Sequence, residues 1–238
     1  MSFGQGKDSK VYAHGTDATP YLSSASLSKE VDTADSTCFG SDDKWGLAGL
    51  RDAMLALEGM FDSGLPPDDG LGSAGSIYSF YPQGDAVDAV AHAGGVGKHI
   101  VADLVSAESD PDVGEATPFS MEIQSDAGSE QAESLHDGSV TETASDVEEY
   151  VNDVSMSVNG GSAYIHVLSK TGGTNITGEI EHSDNHVDWS SLVAFTAQTA
   201  QGTAERKAIV GTIKQYVRAK WTLGAGGSWK FNIALHRA

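Results

Sequence analysis

The segment EHSDNHVDW places His182, Asp184, His186 and Asp188 two residues apart from one another. Imidazole and carboxylate groups are both competent ligands for divalent ions, so this is the strongest metal-type spacing in the chain. The same Ser-Asp-Asn is also ordinary turn chemistry between strands, and the turn is the preferred reading. Asp110, Asp112 and Glu115 in SDPDVGEA could touch calcium, but they lack the ligand spacing of an EF-hand loop.

Other strings fail on context. GLGSAG, from Gly70 to Gly75, matches the dinucleotide glycine pattern, which requires a strand before it and a helix after it. Here LPPDD precedes and the strand-like SIYSFY follows. GGVGKH fails as a phosphate loop. The spaced first glycine position is His92, and His99 follows Lys98 in place of Ser or Thr. Asn175-Ile176-Thr177 is a sequon that matters only in a secreted eukaryotic protein.

Nucleophilic catalysis needs a Ser or Cys, a base and an orienting group. There is no Gly-x-Ser-x-Gly elbow. The one cysteine, Cys38, sits among carboxylates that disfavour a thiolate. The eight histidines are scattered, and 34 acidic residues supply carboxylate pairs by chance. No catalytic residue, cofactor or metal is therefore assigned. Tyr216, Trp221 and Trp229 could form an aromatic platform for sugar. Packed core is preferred for them, with Arg218 in a surface ion pair.

Charge is unevenly spread. The chain has 238 residues and a net charge of −20; residues 151–238 hold 8 basic and 6 acidic residues, leaving 6 basic and 28 acidic in residues 1–150. Such a step implies two units with different surroundings, and the acidic one should repel phosphate backbones. No apolar run is long enough to span a membrane as a helix, so no membrane partner is expected. The single cysteine excludes an intramolecular disulfide framework, and MSFGQGKDSKVYAHG has no apolar signal-peptide region. The expectation is folding in the cytoplasm.

The elements that must position any site read mainly as strands. YLSSASLSKEVD alternates, with Ser24, Ser26, Ser28 and Glu30 on one side and Ala25, Leu27 and Val31 on the other. RDAMLALEGMFD puts Asp52, Met54 and Glu58 opposite Ala53, Leu55, Leu57 and Phe61. TPFSMEIQSDAG puts Ser120, Glu122 and Gln124 opposite Phe119, Met121 and Ile123. GKHIVADLVSAES is a further alternating strand. GDAVDAVAHAGG predicts a helix capped by Asp85 and stopped by Gly94-Gly95. SEQAESLHDGSVTETASDVEEY reads as an exposed hairpin or linker. From Ser157 onward, short strands separated by turn residues predict a β-sandwich or jelly roll.

The order of these pieces resembles the major tail (tail tube) proteins of long-tailed, siphovirus-like phages and archaeal tailed viruses. The resemblance rests on YLSSASLSKEVDTADSTCFGSDDKWGLAGLRDAMLALEGMFD, on TPFSMEIQSDAG, and on IEHSDNHVDWSSLVAFT followed by GTIKQYVRAKWTL, over half the chain together. Ala48-Gly49 stands where proline-glycine is common, and Gln215 where arginine often precedes the tyrosine.

The resemblance implies a tail tube domain over residues 1–153 whose strands join an inner β-barrel braced by one helix. It implies a C-terminal, jelly-roll-like β-sandwich over 157–238. It also implies a structural virion protein of the tail, assembled in the host cytoplasm as stacked rings of six. Its partners would be further copies of itself and the tape measure, tail terminator and baseplate proteins, with viral DNA passing without being bound.

In that frame the polar strand face lines the lumen: Ser24, Ser26, Ser28, Glu30, Asp52, Met54, Glu58, Ser120, Glu122 and Gln124. A conduit for DNA should be wet and anionic, because clustered Lys and Arg would hold phosphate. The loop 33–48 would reach an adjacent subunit or ring, with Phe39 and Trp45 as apolar anchors. Three other readings stay open: a minor tail or baseplate protein with the same fold, a secreted carbohydrate-binding protein using the aromatic residues, and a hydrolase using the His182–Asp188 cluster.

Overall fold

The computed structural model describes residues 8–35, 46–60, 75–88, 93–109, 117–125, 128–152 and 156–238. The chain is mainly β. The first strands are β1 (Lys10–Ala13), β2 (Thr16–Asp17), β3 (Leu22–Asp35), β4 (Gly46–Met60), β5 (Ser76–Tyr81), β6 (Val87–Asp88) and β7 (Ala93–Gly94). Then come β8 (Val96–Ser109), β9 (Pro118–Ser125), β10 (Glu130–His136), β11 (Asp146–Val147) and β12 (Val151–Asn152). The last are β13 (Gly161–Thr171), β14 (Ile176–Ser183), β15 (Ser190–Ala194), β16 (Thr203–Ile209), β17 (Tyr216–Leu223) and β18 (Ser228–Arg237). A 3-10 turn, Thr19–Tyr21, is the one helical element named among the described residues.

Two compact units divide the chain. One comprises Met1–Pro20, Ser76–His99 and Glu130–Ala238; the other comprises Tyr21–Gly75 and Ile100–Ser129. The expected division at 153/157 is not this grouping. β10 and β18 lie on opposite sides of that boundary and are hydrogen-bonded neighbours. Backbone pairing across distant segments outweighs the compositional step that marked the boundary.

The smaller unit is a four-stranded antiparallel sheet in the order β3-β4-β9-β8, with β8 contributing from Ile100 onward. Period-2 alternation produces its two faces. Ala53, Leu55, Leu57, Met121 and Ile123 are at most 2% exposed. Burial of each large apolar side chain stabilises the unit by about 1.5–3 kcal/mol. Val31 departs from its expected packing at 46% exposed. The β3–β4 hairpin extends through Thr33↔Ala48, Ala34↔Leu47 and Asp35↔Gly46, so pairing runs into the segment expected as loop 33–48. Phe39 and Trp45 lie outside the described residues.

In the larger unit one sheet runs β16-β13-β18-β10-β8-β5-β1-β2, and a second contains β11 and β12 on β17, followed by β14 and β15. Ile165, Val167, Phe231 and Ile233 of the first sheet share a core with Ile180, Val217, Ala219 and Trp221 of the second. Apolar faces of two sheets buried against one another make a sandwich.

Two expectations are corrected in this unit. The predicted helix after Asp85 is replaced by a short hairpin in which Val87 pairs with Gly94 and Asp88 with Ala93. Gly94 approaches the backbone carbonyl of Ser134 so closely that a β-carbon would not fit. The glycines thus serve a close backbone approach, not a helix stop. The segment from Glu130, expected as an exposed linker, is a sheet strand with Ala132, Ser134, Leu135 and His136 buried.

Candidate functional site

The polar face of the smaller unit gathers the chemistry. Cross-strand register sets its rows: Ser24↔Glu58↔Ser120↔Glu108, Ser26↔Ala56↔Glu122↔Ser106, and Ser28↔Met54↔Gln124↔Asp103, with Glu30↔Asp52 beyond. Residues directly opposite on antiparallel strands present side chains on the same face, about 4.5–5.5 Å apart at Cβ. All ten residues singled out from the sequence for this surface therefore stand on one face of one sheet.

Like charges directly opposite one another destabilise a sheet. Here Glu58 stands between two serines, and Glu122 between Ala56 and Ser106. Glu30 and Asp52 are the exception, and Gln124 Nε2 donates to Asp52 Oδ2 at 2.9 Å. Ser106 Oγ lies 3.5 Å from Glu122 Oε2, at the long edge of hydrogen bonding. Gly75 N–H donates to Asp103 Oδ1 at 2.8 Å.

β8 supplies three members of the face that the sequence reading passed over: Asp103, Ser106 and Glu108. The register shifts between Leu104 and Ser106. A bulge inserts one residue and reverses which parity faces which side. Asp103 and Glu108 have opposite parity in sequence yet share a face. The available signal was the pair of carboxylates, Asp103 and Glu108, in a stretch otherwise made of Ile, Val, Ala, Leu and Ser.

The face thus presents six carboxylates, from Glu30, Asp52, Glu58, Asp103, Glu108 and Glu122. Among the described residues it carries no Lys or Arg. Lys29, the one basic side chain described in this unit, is in register with Ala53 of the opposite face. Chemically, such a surface is wet, accepts hydrogen bonds and repels phosphate.

The other candidate residues disperse. His182 Nδ1 is 3.4 Å from the Lys214 amide, Asp184 pairs with Lys214 at 3.0 Å, His186 stacks on Tyr150 at 5.3 Å, and Asp188 accepts from Asn185 at 2.8 Å. Among the described residues, no group of three or more His, Cys, Asp or Glu is arranged to hold a metal. Trp221 and Trp229 are 3% and 0% exposed, so they pack in the core and form no open sugar platform. Arg218 meets Glu181 at 2.6 Å and Lys220 meets the same carboxylate at 2.8 Å. Burial alone would raise the Glu181 pKa, but Lys220 and Arg218 hold it below the ordinary carboxylate value.

No family model matches the chain, and no curated protein matches it. Among solved structures it is similar to a chain from the virion of a native gene transfer agent (GTA) particle. That match has 15% identity and a TM-score of 0.39, and covers 53% of this chain and 97% of the other. A chain from the tail of an empty GTA particle with C6 symmetry gives the same values. The SPP1 Dit (gp 19.1) protein, a phage adsorption-apparatus hub, matches at 11% identity and a TM-score of 0.35, covering 97% of this chain and 99% of the other. At these scores the likenesses fix no family, and the site is read from its own geometry.

Proposed function

We propose that this protein is a structural subunit of a viral tail, and that copies join their four-stranded sheets edge to edge into a tube whose anionic bore passes DNA without retaining it. The observation that carries the reading is the sorting of charge on the β3-β4-β9-β8 sheet: six carboxylates on one face and buried aliphatic residues on the other. The sheet's order supports it further. β3 and β8 end this four-strand order and run in opposite directions, β8 keeping the six-residue β5 as a further neighbour over part of its length. A second copy placed beside either edge would continue the antiparallel pattern. Closure into a barrel would also remove edges that otherwise invite aggregation.

In rings of six, the number implied by the sequence resemblance, 24 strands at about 4.8 Å would give a backbone circumference of about 115 Å and a diameter near 37 Å before strand tilt widens it. The loop 33–48 would reach an adjacent subunit or ring through Phe39 and Trp45, and the C-terminal sandwich over 157–238 would decorate the outside. The tape measure, terminator and baseplate proteins would be the partners along and at the ends of the tube, all within the virion. The role is structural and needs no catalytic group.

Negative-stain electron microscopy of the purified protein across a salt and concentration series tests this. Hollow tubes with a stain-filled bore are expected. Isolated rings that never stack would favour a baseplate protein. Monodisperse single subunits under every condition would overturn the proposal.

A further inference from the structure

The larger unit holds a second acidic site of different construction. A cleft of about 500 Å³ is bordered by Glu142, Glu148, Glu149, Tyr150, Trp189 and Arg218. Its carboxylates are fixed by backbone pairing. Glu142 exchanges backbone hydrogen bonds with Trp229 at 2.8 and 2.9 Å, and the Glu148 N–H donates to the Ala219 carbonyl at 2.9 Å.

Behind these carboxylates sits His136, 0% exposed, stacked on Phe231 at 4.1 Å and edge-on to Trp221 at 4.7 Å. Its Nδ1 lies 2.8 Å from the Phe231 carbonyl. In the neutral ring Nδ1–H donates there, which leaves a lone pair on Nε2. That Nε2 faces Glu142 Oε1 at 3.5 Å and Glu148 Oε2 at 3.9 Å, and among the described residues it makes no hydrogen bond. In that tautomer three acceptors converge, and among the described residues no donor meets them. A buried acceptor left unmet is costly, so the arrangement favours an incoming donor with positive charge.

The charge around the cleft points the same way. Among the described residues neither Glu142 nor Glu148 pairs with Lys or Arg. Arg218, the cation at the cleft border, is held by Glu181 at 2.6 Å and lies over Trp189 at 4.1 Å. Tyr150 adds an aromatic wall, stacked with His186 at 5.3 Å. Carboxylates beside aromatic rings match a planar guanidinium, which donates in a fork and stacks on π faces.

We propose that this cleft docks a cationic side chain, an arginine guanidinium above all, from a basic segment of a partner protein. The proposal is independent of the tube. The Glu148 carboxyl is pushed above its ordinary value by burial first, then by Glu142, Asp137, Asp146 and Glu149, as befits a negative cluster lacking a counter-charge.

The probe is N-acetyl-arginine amide, titrated into the full chain and followed by tryptophan fluorescence. Its uncharged counterpart, N-acetyl-citrulline amide, is the control. Saturable binding of the arginine probe, none of the citrulline probe, and at least tenfold weaker binding in Glu142→Gln/Glu148→Gln are expected. Glu58→Gln, in the other unit, should bind like the parent. If the double variant fails to fold, Tyr150→Leu should weaken binding severalfold by removing the stacking wall. Equal binding of both probes, or no saturable binding of the arginine probe, overturns the proposal. So does one-to-one zinc binding that shuts out the arginine probe, or saturation by methyl glucoside in place of it.

Discussion

Tyr12 donates its hydroxyl to Asp85 Oδ2 at 2.6 Å, with Tyr12 0% and Asp85 2% exposed. The same oxygen accepts from the Gly138 N–H at 2.9 Å and lies 3.0 Å from Asn232 Nδ2. Asn232 Oδ1 in turn accepts from the Tyr81 hydroxyl at 2.9 Å. One buried carboxylate therefore ties together β1, the turn after β10 and β18. Burial, then the Asp85 charge, drives the Tyr12 hydroxyl far above its ordinary pKa, so Tyr12 remains a donor at every accessible pH.

Removing the acceptor should cost more than removing one donor. Asp85→Ala strands two buried donors, the Tyr12 hydroxyl and the Gly138 N–H, while Asn232 Nδ2 keeps Ser134 Oγ and the His136 carbonyl; it should destabilise the protein by about 3–5 kcal/mol, whereas Tyr12→Phe should cost about 1.5–3 kcal/mol. Urea unfolding of both variants gives the comparison. A smaller loss in Asp85→Ala than in Tyr12→Phe would contradict the network.

This network also explains why parts of the fold were hard to see in the sequence. Apolar alternation located β3, β4 and β9 because each buries one clean aliphatic face. It failed around Asp85 and Ser134 because the interior there is built from polar groups, Asp85, Ser134, His136 and Asn232, joined by hydrogen bonds that span 53 to 147 residues as well as by the local Ser134–His136 bond. Asp85 has the residue type of a helix cap, but tertiary hydrogen bonds claim it. The site was legible wherever strand parity ran unbroken. It was lost in β8, where the bulge after Leu104 separates Asp103 from Glu108 in pattern though not in space.

A second buried polar chain predicts acid sensitivity. The Gly15 N–H donates to His166 Nδ1 at 3.2 Å, so His166 Nε2–H faces Ser79 Oγ at 2.7 Å, and the serine hydroxyl then serves His99 Nδ1 at 2.7 Å. That relay requires both rings to be neutral. Burial, followed by the His14 charge, pushes His166 down to about 3, and burial with His166 nearby lowers His99 well below its ordinary value. Above pH 6.5 neither state of the chain carries these protons. As the pH falls below 6.5 the unfolded chain takes them up and the folded one cannot, so stability declines until the folded values are reached. Each histidine contributes up to about 1.4 kcal/mol per pH unit. Asp85 and Glu148, both raised chiefly by burial, oppose the trend, while His14, His136 and His182, lowered chiefly by burial, add to it. The midpoint of thermal unfolding should therefore drop from pH 7 to pH 4.5, with a shallower slope in His166→Gln. A flat profile between pH 6.5 and 4.5 would exclude the relay.

The two faces of the β3-β4-β9-β8 sheet should respond differently to truncation. Leu55 and Ile123 are cross-strand neighbours at 1% and 0% exposure, and either residue changed to alanine should cost about 2–5 kcal/mol. Because they touch the same space, the double variant should depart from additivity by about 0.5 kcal/mol or more. Ser26→Ala and Ser120→Ala, on the exposed face, should stay within about 0.5 kcal/mol of the parent. Chemical denaturation of the five variants measures this, and equal losses on both faces would reverse the assignment of inside and outside.

Charge reversal on the polar face tests what it is for. Glu58 and Glu122 are exposed and lie on adjacent rows, so Glu58→Lys/Glu122→Lys should change folding stability by less than about 1 kcal/mol. In a closed ring the two substitutions recur in every copy and would line the bore with ammonium groups. Assembled variant tubes should then retain duplex DNA at low salt and release it as salt rises, the logarithmic slope growing by about 0.9 for each phosphate neutralised. Parent tubes should retain none in the same sedimentation assay. A variant as inert as the parent would mean that this face does not meet DNA. A parent that holds DNA as firmly as the variant would mean that the carboxylates do not keep the passage free.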